Sequence, residues 1–108
     1  MNIINCNKLT NSFLGNITSN KHLEVIPQKL GIRPEHIKVN SKRQGVINGK
    51  IDVIEYLGAD SFLFVDCKDV GIITVRVDGS HEFKLGEMIN LEFQRENTHF
   101  FDCSGTRM

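Results

Sequence analysis

The sequence predicts an all-β fold, a small and strongly bent antiparallel barrel carrying one or two short helical turns. Three observations support this. From Val46 onward the turn-forming clusters LGAD, CKDVG, VDGS, KLGE and CSG recur at short intervals. The pieces between them are rich in β-branched and aromatic residues. Two of these pieces alternate cleanly: Ile73, Val75 and Val77 against Thr74, Arg76 and Asp78, then Ile89, Leu91 and Phe93 against Asn90, Glu92 and Gln94. Period two gives each strand one buried and one wet face.

The elements follow in order. In the first forty residues SFLGNI and HLEVIP are expected as short strands joined by TSNK, and a Leu30–Arg33 strand follows. In LGIRPEHI, Pro34 pushes Arg33 into an extended conformation and suits the first position of a helical turn, which is expected over Pro34–Ile37. Glu35 would lie near exposed amides of that turn and His36 would be solvated. NSKRQG, between Val39 and Val46, is linker-like and separates a weakly patterned beginning from a strongly patterned remainder. GKIDVIEYLG starts with Ile51 and Val53 and then changes phase to Ile54 and Tyr56, which predicts a bulge or a strand buried on both sides. SFLFVDC is apolar throughout, as a central strand is, and the short LGAD turn makes it the hairpin partner of the strand ending at Leu57.

With 108 residues the chain is expected to be one domain, 1–108, with a single core. Thirteen Lys+Arg against 13 Asp+Glu leave no global field to attract nucleic acid or an anionic membrane. The densest basic run, with Lys38, Lys42 and Arg43, lacks interleaved aromatics and reads as a solvated loop. Cys6, Cys67 and Cys103 are too few and too widely spaced for a disulfide framework, which points to the cytosol. MNIINCNKLT lacks the basic start and apolar run of a signal peptide, and no apolar stretch approaches the roughly 20 residues that span a bilayer. The sequon Asn16-Ile17-Thr18 has no meaning without secretion.

Chemistry-bearing patterns are sparse. Neither G-x-x-x-x-G-K-[ST] nor G-x-G-x-x-G occurs in these residues, so the common phosphate cradles are not encoded here. His99 and Cys103 are four apart, but NTHFFDC reads as strand, which separates them by about 13 Å. A surface His99 and a structural Cys103 are expected. Asp60, Asp66 and Asp69 lie at turns, where short carboxylates bond to nearby backbone amides.

Taken together, LGIRPEHI, GKIDVIEYLGADSFLFVDC, ITVRVDG, KLGEMINLEFQRENTHFFD and the closing GTRM resemble a known module. It is the transport-associated OB (TOBE) domain, the carboxy-terminal regulatory part of ATP-binding subunits in sugar importers of the maltose and glycerol-3-phosphate type. The resemblance is strongest from Leu30 to Met108, and the opening Met-Asn also matches. It implies an OB-like barrel, no catalytic chemistry, and a GIRPEH turn in which Arg33, Pro34, Glu35 and His36, with Gly58 and Asp60 of LGAD, make a regulatory contact. It further implies a weak homodimer, a regulatory protein as partner, and contact with membrane subunits through an ATPase domain. That domain would hold ATP and Mg, at the inner face of the cell membrane. Its motifs do not occur in these 108 residues, so the chain is read as a fragment of a longer subunit or the product of a shortened gene. No nucleic-acid partner and no membrane insertion are expected.

Two other readings compete. Related OB modules resemble molybdate-binding proteins, and a small-oxyanion pocket here would need Arg33, Lys84 and backbone amides near Gly58 or Gly86 to converge. A single-strand nucleic-acid binder would need aromatics facing a basic groove. Six of the seven phenylalanines, from Phe62 to Phe101, lie in apolar strand contexts and are expected in the core.

Overall fold

A computed structural model describes residues 1–9, 28–39, 47–79, 82–102 and 104–107. The expected strands SFLGNI and HLEVIP, the NSKRQG linker and Cys103 lie outside the described residues.

Among the described residues, alternating apolar positions build eight strands in two antiparallel sheets. β1 (Asn2–Asn5), β2 (Lys29–Ile32) and β8 (His99–Phe101) form one sheet in the order β1-β2-β8. The other contains β3 (Ile37–Val39), β4 (Ile47–Leu57), β5 (Asp60–Asp66), β6 (Ile72–Asp78) and β7 (Met88–Phe93), in the order β3-β7-β4-β5-β6. Their inward residues share one core, in which Leu30, Ile32, Leu63, Val65, Val75 and Leu91 are fully buried. Burial of each such side chain contributes roughly 1.5–3 kcal/mol before the entropy of ordering it is counted.

The alternation in β6 and β7 places Ile73, Val75, Ile89, Leu91 and Phe93 inside, as their sequence predicts. β5 is central, as expected, with Leu63 and Val65 inward. The phase change in β4 is a bulge. Ile51 pairs with Val65 while Val53 pairs with Phe64, so Asp52 is the extra residue. A strand buried on both faces is excluded, because Val53 is 49% exposed. Before the bulge Ile47, Gly49 and Ile51 face the core; after it Ile54 and Tyr56 take over that side, opposite Leu63 and Ser61.

Two expectations need correction. Residues 1–9 contain a strand, β1, which four residues of NIIN are too short to announce; it is set by pairing of Ile3 and Ile4 with Gly31 and Leu30. Helical turns are also more numerous than one or two: 3-10 turns occupy Cys6–Lys8, Pro34–His36, Lys68–Val70 and Arg95–Asn97. The proline turn ends one residue early because Ile37 is already in β3, paired with Phe93.

Among the described residues, no strand pairs with the outer edge of β6. The Asn2 side chain occupies part of that edge: its Nδ2 donates to the Thr74 carbonyl at 2.8 Å and its Oδ1 accepts from the Thr74 amide at 2.9 Å. One amide thus imitates a neighbouring strand and joins the two sheets. The Pro34–His36 turn also packs against β6.

Candidate functional site

The residues singled out in the sequence fall in two places. Arg33 is extended (φ −75°, ψ 145°) and exposed, and its carbonyl accepts the His36 amide at 3.0 Å, which closes the turn begun by Pro34. Glu35 is exposed. His36 is not solvated as expected: it is partly buried, and its Nδ1 is enclosed with no hydrogen-bond partner. This turn packs beside β6.

The second place is the tip of the β4–β5 hairpin. Leu57 pairs with Asp60, so Gly58 and Ala59 alone make the turn. Gly58 has φ +79° and Ala59 a negative φ, the pattern of a type II′ turn, which explains glycine in the first position. Asp60 does not bond to turn amides. Its Oδ2 accepts from Arg76 Nη2 at 2.6 Å and Nε at 3.0 Å, and the guanidinium lies 6.0 Å from the Phe62 ring centroid. Asp66 does cap its turn, accepting the Lys68 amide at 3.0 Å.

Below the tip, two open grooves run along the inner side of the hairpin. One, of about 510 Å³, lies between Asp52–Tyr56 of β4 and the Phe83–Leu85 segment, with Lys84 on its far wall. The other, of about 340 Å³, continues past Ile54, Tyr56 and Phe83 to Gly58, Ser61 and Gly79. Tyr56 is 74% exposed and Leu85 68%, so this mouth presents an apolar surface. Tyr56 lies on a strand, as its sequence predicts, but β4 outruns its neighbour β7 there, which no local pattern in the sequence signals.

Neither of these two grooves brings together the groups named for an oxyanion. Lys84 lines one and Gly58 the other, and Arg33 lines neither. The Gly86 amide is already used, donating to the Ile51 carbonyl at 2.8 Å. Nor are the phenylalanines uniformly core residues. Phe93 and Phe100 are buried, but Phe62 and Phe64 lie partly buried on the outer face, opposite in phase to Leu63 and Val65.

The remaining candidates have structural surroundings. His99 is partly buried, with its Nδ1 2.6 Å from Arg107 Nη2, a contact that ties the closing GTRM segment to β8. The Asp102 carboxylate is held below its usual range, chiefly by the Ser104 side chain and then by the Thr106 amide. Cys6 and Cys67 are buried free thiols. Burial, then the Asp66 charge, pushes Cys67 up to about 11. Among the described residues no three His, Cys, Asp or Glu side chains are grouped to hold a metal ion, and no helix is long and apolar enough to cross a membrane.

The TOBE domain profile matches residues 30–101. That interval begins in β2 and ends in β8, and its two ends are neighbours, since Leu30 pairs with Phe100 and Lys29 with Phe101. The chain belongs to the TOBE domain family. The resemblance drawn from the sequence motifs therefore holds. Similar curated proteins include the sn-glycerol-3-phosphate import ATP-binding protein UgpC of Psychromonas ingrahamii, 31% identical over 86 residues, covering 73% of this chain and 23% of that protein. The protein of the same name from Cupriavidus metallidurans is 33% identical over 98 residues, covering 88% of this chain and 26% of its own. This TOBE chain thus spans about a quarter of the length of these relatives. Among solved structures, the cytoplasmic molybdate-binding protein ModG with molybdate bound superposes with a TM-score of 0.60 at 13% identity, over 74% of this chain and 67% of that one. The likeness supports the OB-like, all-β architecture.

Proposed function

We propose that this TOBE chain is the regulatory and dimerisation module of the ATP-binding subunit of a carbohydrate-type importer, non-catalytic by itself. The observation that carries the reading is the family match over residues 30–101, together with relatives that are glycerol-3-phosphate import ATP-binding proteins. In such a subunit ATP and Mg belong to a separate nucleotide-binding part, which also meets the membrane subunits at the inner face of the cell membrane. The barrel supplies a weak two-fold contact and a surface for a regulatory protein, to which the Arg33–His36 turn contributes the exposed Arg33 and Glu35 and the hairpin tip the exposed Gly58 and Ala59.

Sedimentation equilibrium over a wide concentration range tests the pairing. A dissociation constant of about 1 µM to 1 mM is expected, which corresponds to roughly 4–8 kcal/mol. A chain still monomeric at millimolar concentration refutes self-association and leaves regulator docking alone. Calorimetry with Mg-ATP is expected to show no saturable binding, and a micromolar affinity would overturn the non-catalytic assignment. A second reading, a small-oxyanion site, is favoured only by the likeness to ModG. It would have to be built without the Gly86 amide.

A further inference from the structure

Among the described residues, the outer half of β4 has one partner where a strand inside a sheet has two. β7 pairs with β4 only from Ile47 to Lys50, and the last bonds on that side are Ile51 to Glu87 and Gly86 to Ile51. From Asp52 to Leu57, among the described residues, only β5 is bonded.

The direction of the free groups follows from Asn2. Because both backbone groups of Thr74 face Asn2, Thr74 and Phe64 are a non-bonded pair, and Phe64 turns its own groups toward Val53. Antiparallel alternation then aims the N–H and C=O of Ile54 and of Tyr56 away from β5, and among the described residues neither has another backbone partner. Their side chains line the groove facing Phe83 and Leu85, while Glu55, between them, points to the opposite face. Glu55 and Asp52 are exposed carboxylates with no ion pair among the described residues.

We propose that this edge receives an extended segment of another protein, which adds as a strand beside Ile54 and Tyr56, lays apolar side chains into the groove and sets a basic residue opposite Glu55. Backbone bonds would supply affinity, and the alternating side chains would supply choice. Charge selects this occupant over a second copy. Two-fold pairing that bonds Ile54 to Tyr56 of another copy puts two Glu55 carboxylates directly opposite each other, which is destabilising. Registers centred on Ile54 or on Tyr56 leave both carboxylates facing apolar residues, Val53 or Leu57. The contrast with β6 is direct, since Asn2 covers that edge and nothing among the described residues covers this one. The inference does not rest on the importer reading.

The test titrates the full chain with a dye-labelled strand peptide of about nine residues, Thr-Val-Thr-Val-Lys-Val-Thr-Val-Thr, and maps amide shifts by NMR. Shifts centred on Ile54, Glu55 and Tyr56 are expected. N-methylation of the peptide amides that would face β4 should abolish binding, and Lys changed to Glu in the peptide should weaken it about threefold. Glu55→Lys in the protein should reverse that preference. Tyr56→Pro, which removes an amide hydrogen not used by β5, should weaken binding about tenfold. If that variant does not fold, the N-methylated peptide poses the same question without altering the protein. Three results would overturn the proposal: no shifts at millimolar peptide, equal binding of the N-methylated peptide, or self-association of the free chain through these same amides.

Discussion

Gly49 offers the sharpest test of the packing described above. It faces the core between Ile47 and Ile51, paired with Ile89 of β7 and just before the β4–β5 ladder begins at Lys50. A Cβ at this position would sit 2.4 Å from Val65 Cγ1, 2.7 Å from Cys67 Sγ and 3.1 Å from the Asp66 carbonyl oxygen. Val65 is fully buried and β-branched, so it cannot turn aside at low cost. Two effects of Gly49→Ala oppose each other. Losing the conformational freedom of glycine in a strand favours the variant by about 0.5–1 kcal/mol, and forcing a methyl group into a filled core costs about 1–3 kcal/mol. The clash wins, and a net loss of roughly 0.5–2 kcal/mol is expected. With a urea m-value of about 1.5 kcal/mol/M, the unfolding midpoint falls by roughly 0.3–1.3 M at unchanged slope. Val65→Ala removes the nearest obstacle, so the double variant should be less unstable than the sum of the two singles by at least about 0.5 kcal/mol. A midpoint for Gly49→Ala equal to or above that of the parent would refute the reasoning.

Other expectations are smaller or narrower. Asn2→Ala breaks both bonds to Thr74 and should cost about 1–2 kcal/mol, with faster hydrogen exchange at the Thr74 amide; unchanged exchange there would contradict the strand-like role of that side chain. Arg76→Ala should cost less, about 0.2–1 kcal/mol in a double-mutant cycle with Asp60, because the two side chains are 46% and 33% exposed and solvent screens the pair. For Cys67 the folded thiol, at about 11, holds its proton above the unfolded value of 9.0. Between those values the folded state binds more protons, so stability is full below pH 9 and falls as pH rises toward 11, by up to about 1.4 kcal/mol per pH unit. Urea melts of the parent and of Cys67→Ala from pH 8 to 10.5 check this, since the variant should lose less stability than the parent over that range.

The strands were legible where one face is wet. In β6 and β7 each polar position reaches solvent, so period two survives in the sequence. The bulge was legible for a related reason: an extra Asp52 shifts the apolar phase from Ile51 to Ile54. β1 and β3 were missed because three or four residues give no period, and their pairing comes from residues distant in sequence, such as Ile32 for Asn2 and Phe93 for Ile37. At the candidate site the Gly58 turn could be read from composition. The Asp60–Arg76 pair could not, because it depends on the register between β5 and β6. The phenylalanines misled for a simple reason: hydrophobicity does not reveal that Phe62 and Phe64 alternate with the buried Leu63 and Val65.

The Asn2 amide has a kinetic consequence. Its bonds to Thr74 span 72 residues, whereas the β4–β5 hairpin closes through a two-residue turn. Hairpins of that kind form in about 1–10 µs, but a long-range contact must meet a loop-closure cost that is repaid only once the sheets on both sides exist. Joining β1 to β6 is therefore expected late, after the folding barrier. Asn2→Ala should then leave the folding rate almost unchanged and accelerate unfolding by most of its stability loss, roughly 5- to 30-fold for about 1–2 kcal/mol. Until Asn2 arrives, the Thr74 stretch of the β6 edge lacks this cover, so the second residue of this sequence guards the finished barrel and leaves the refolding chain exposed to edge-to-edge pairing.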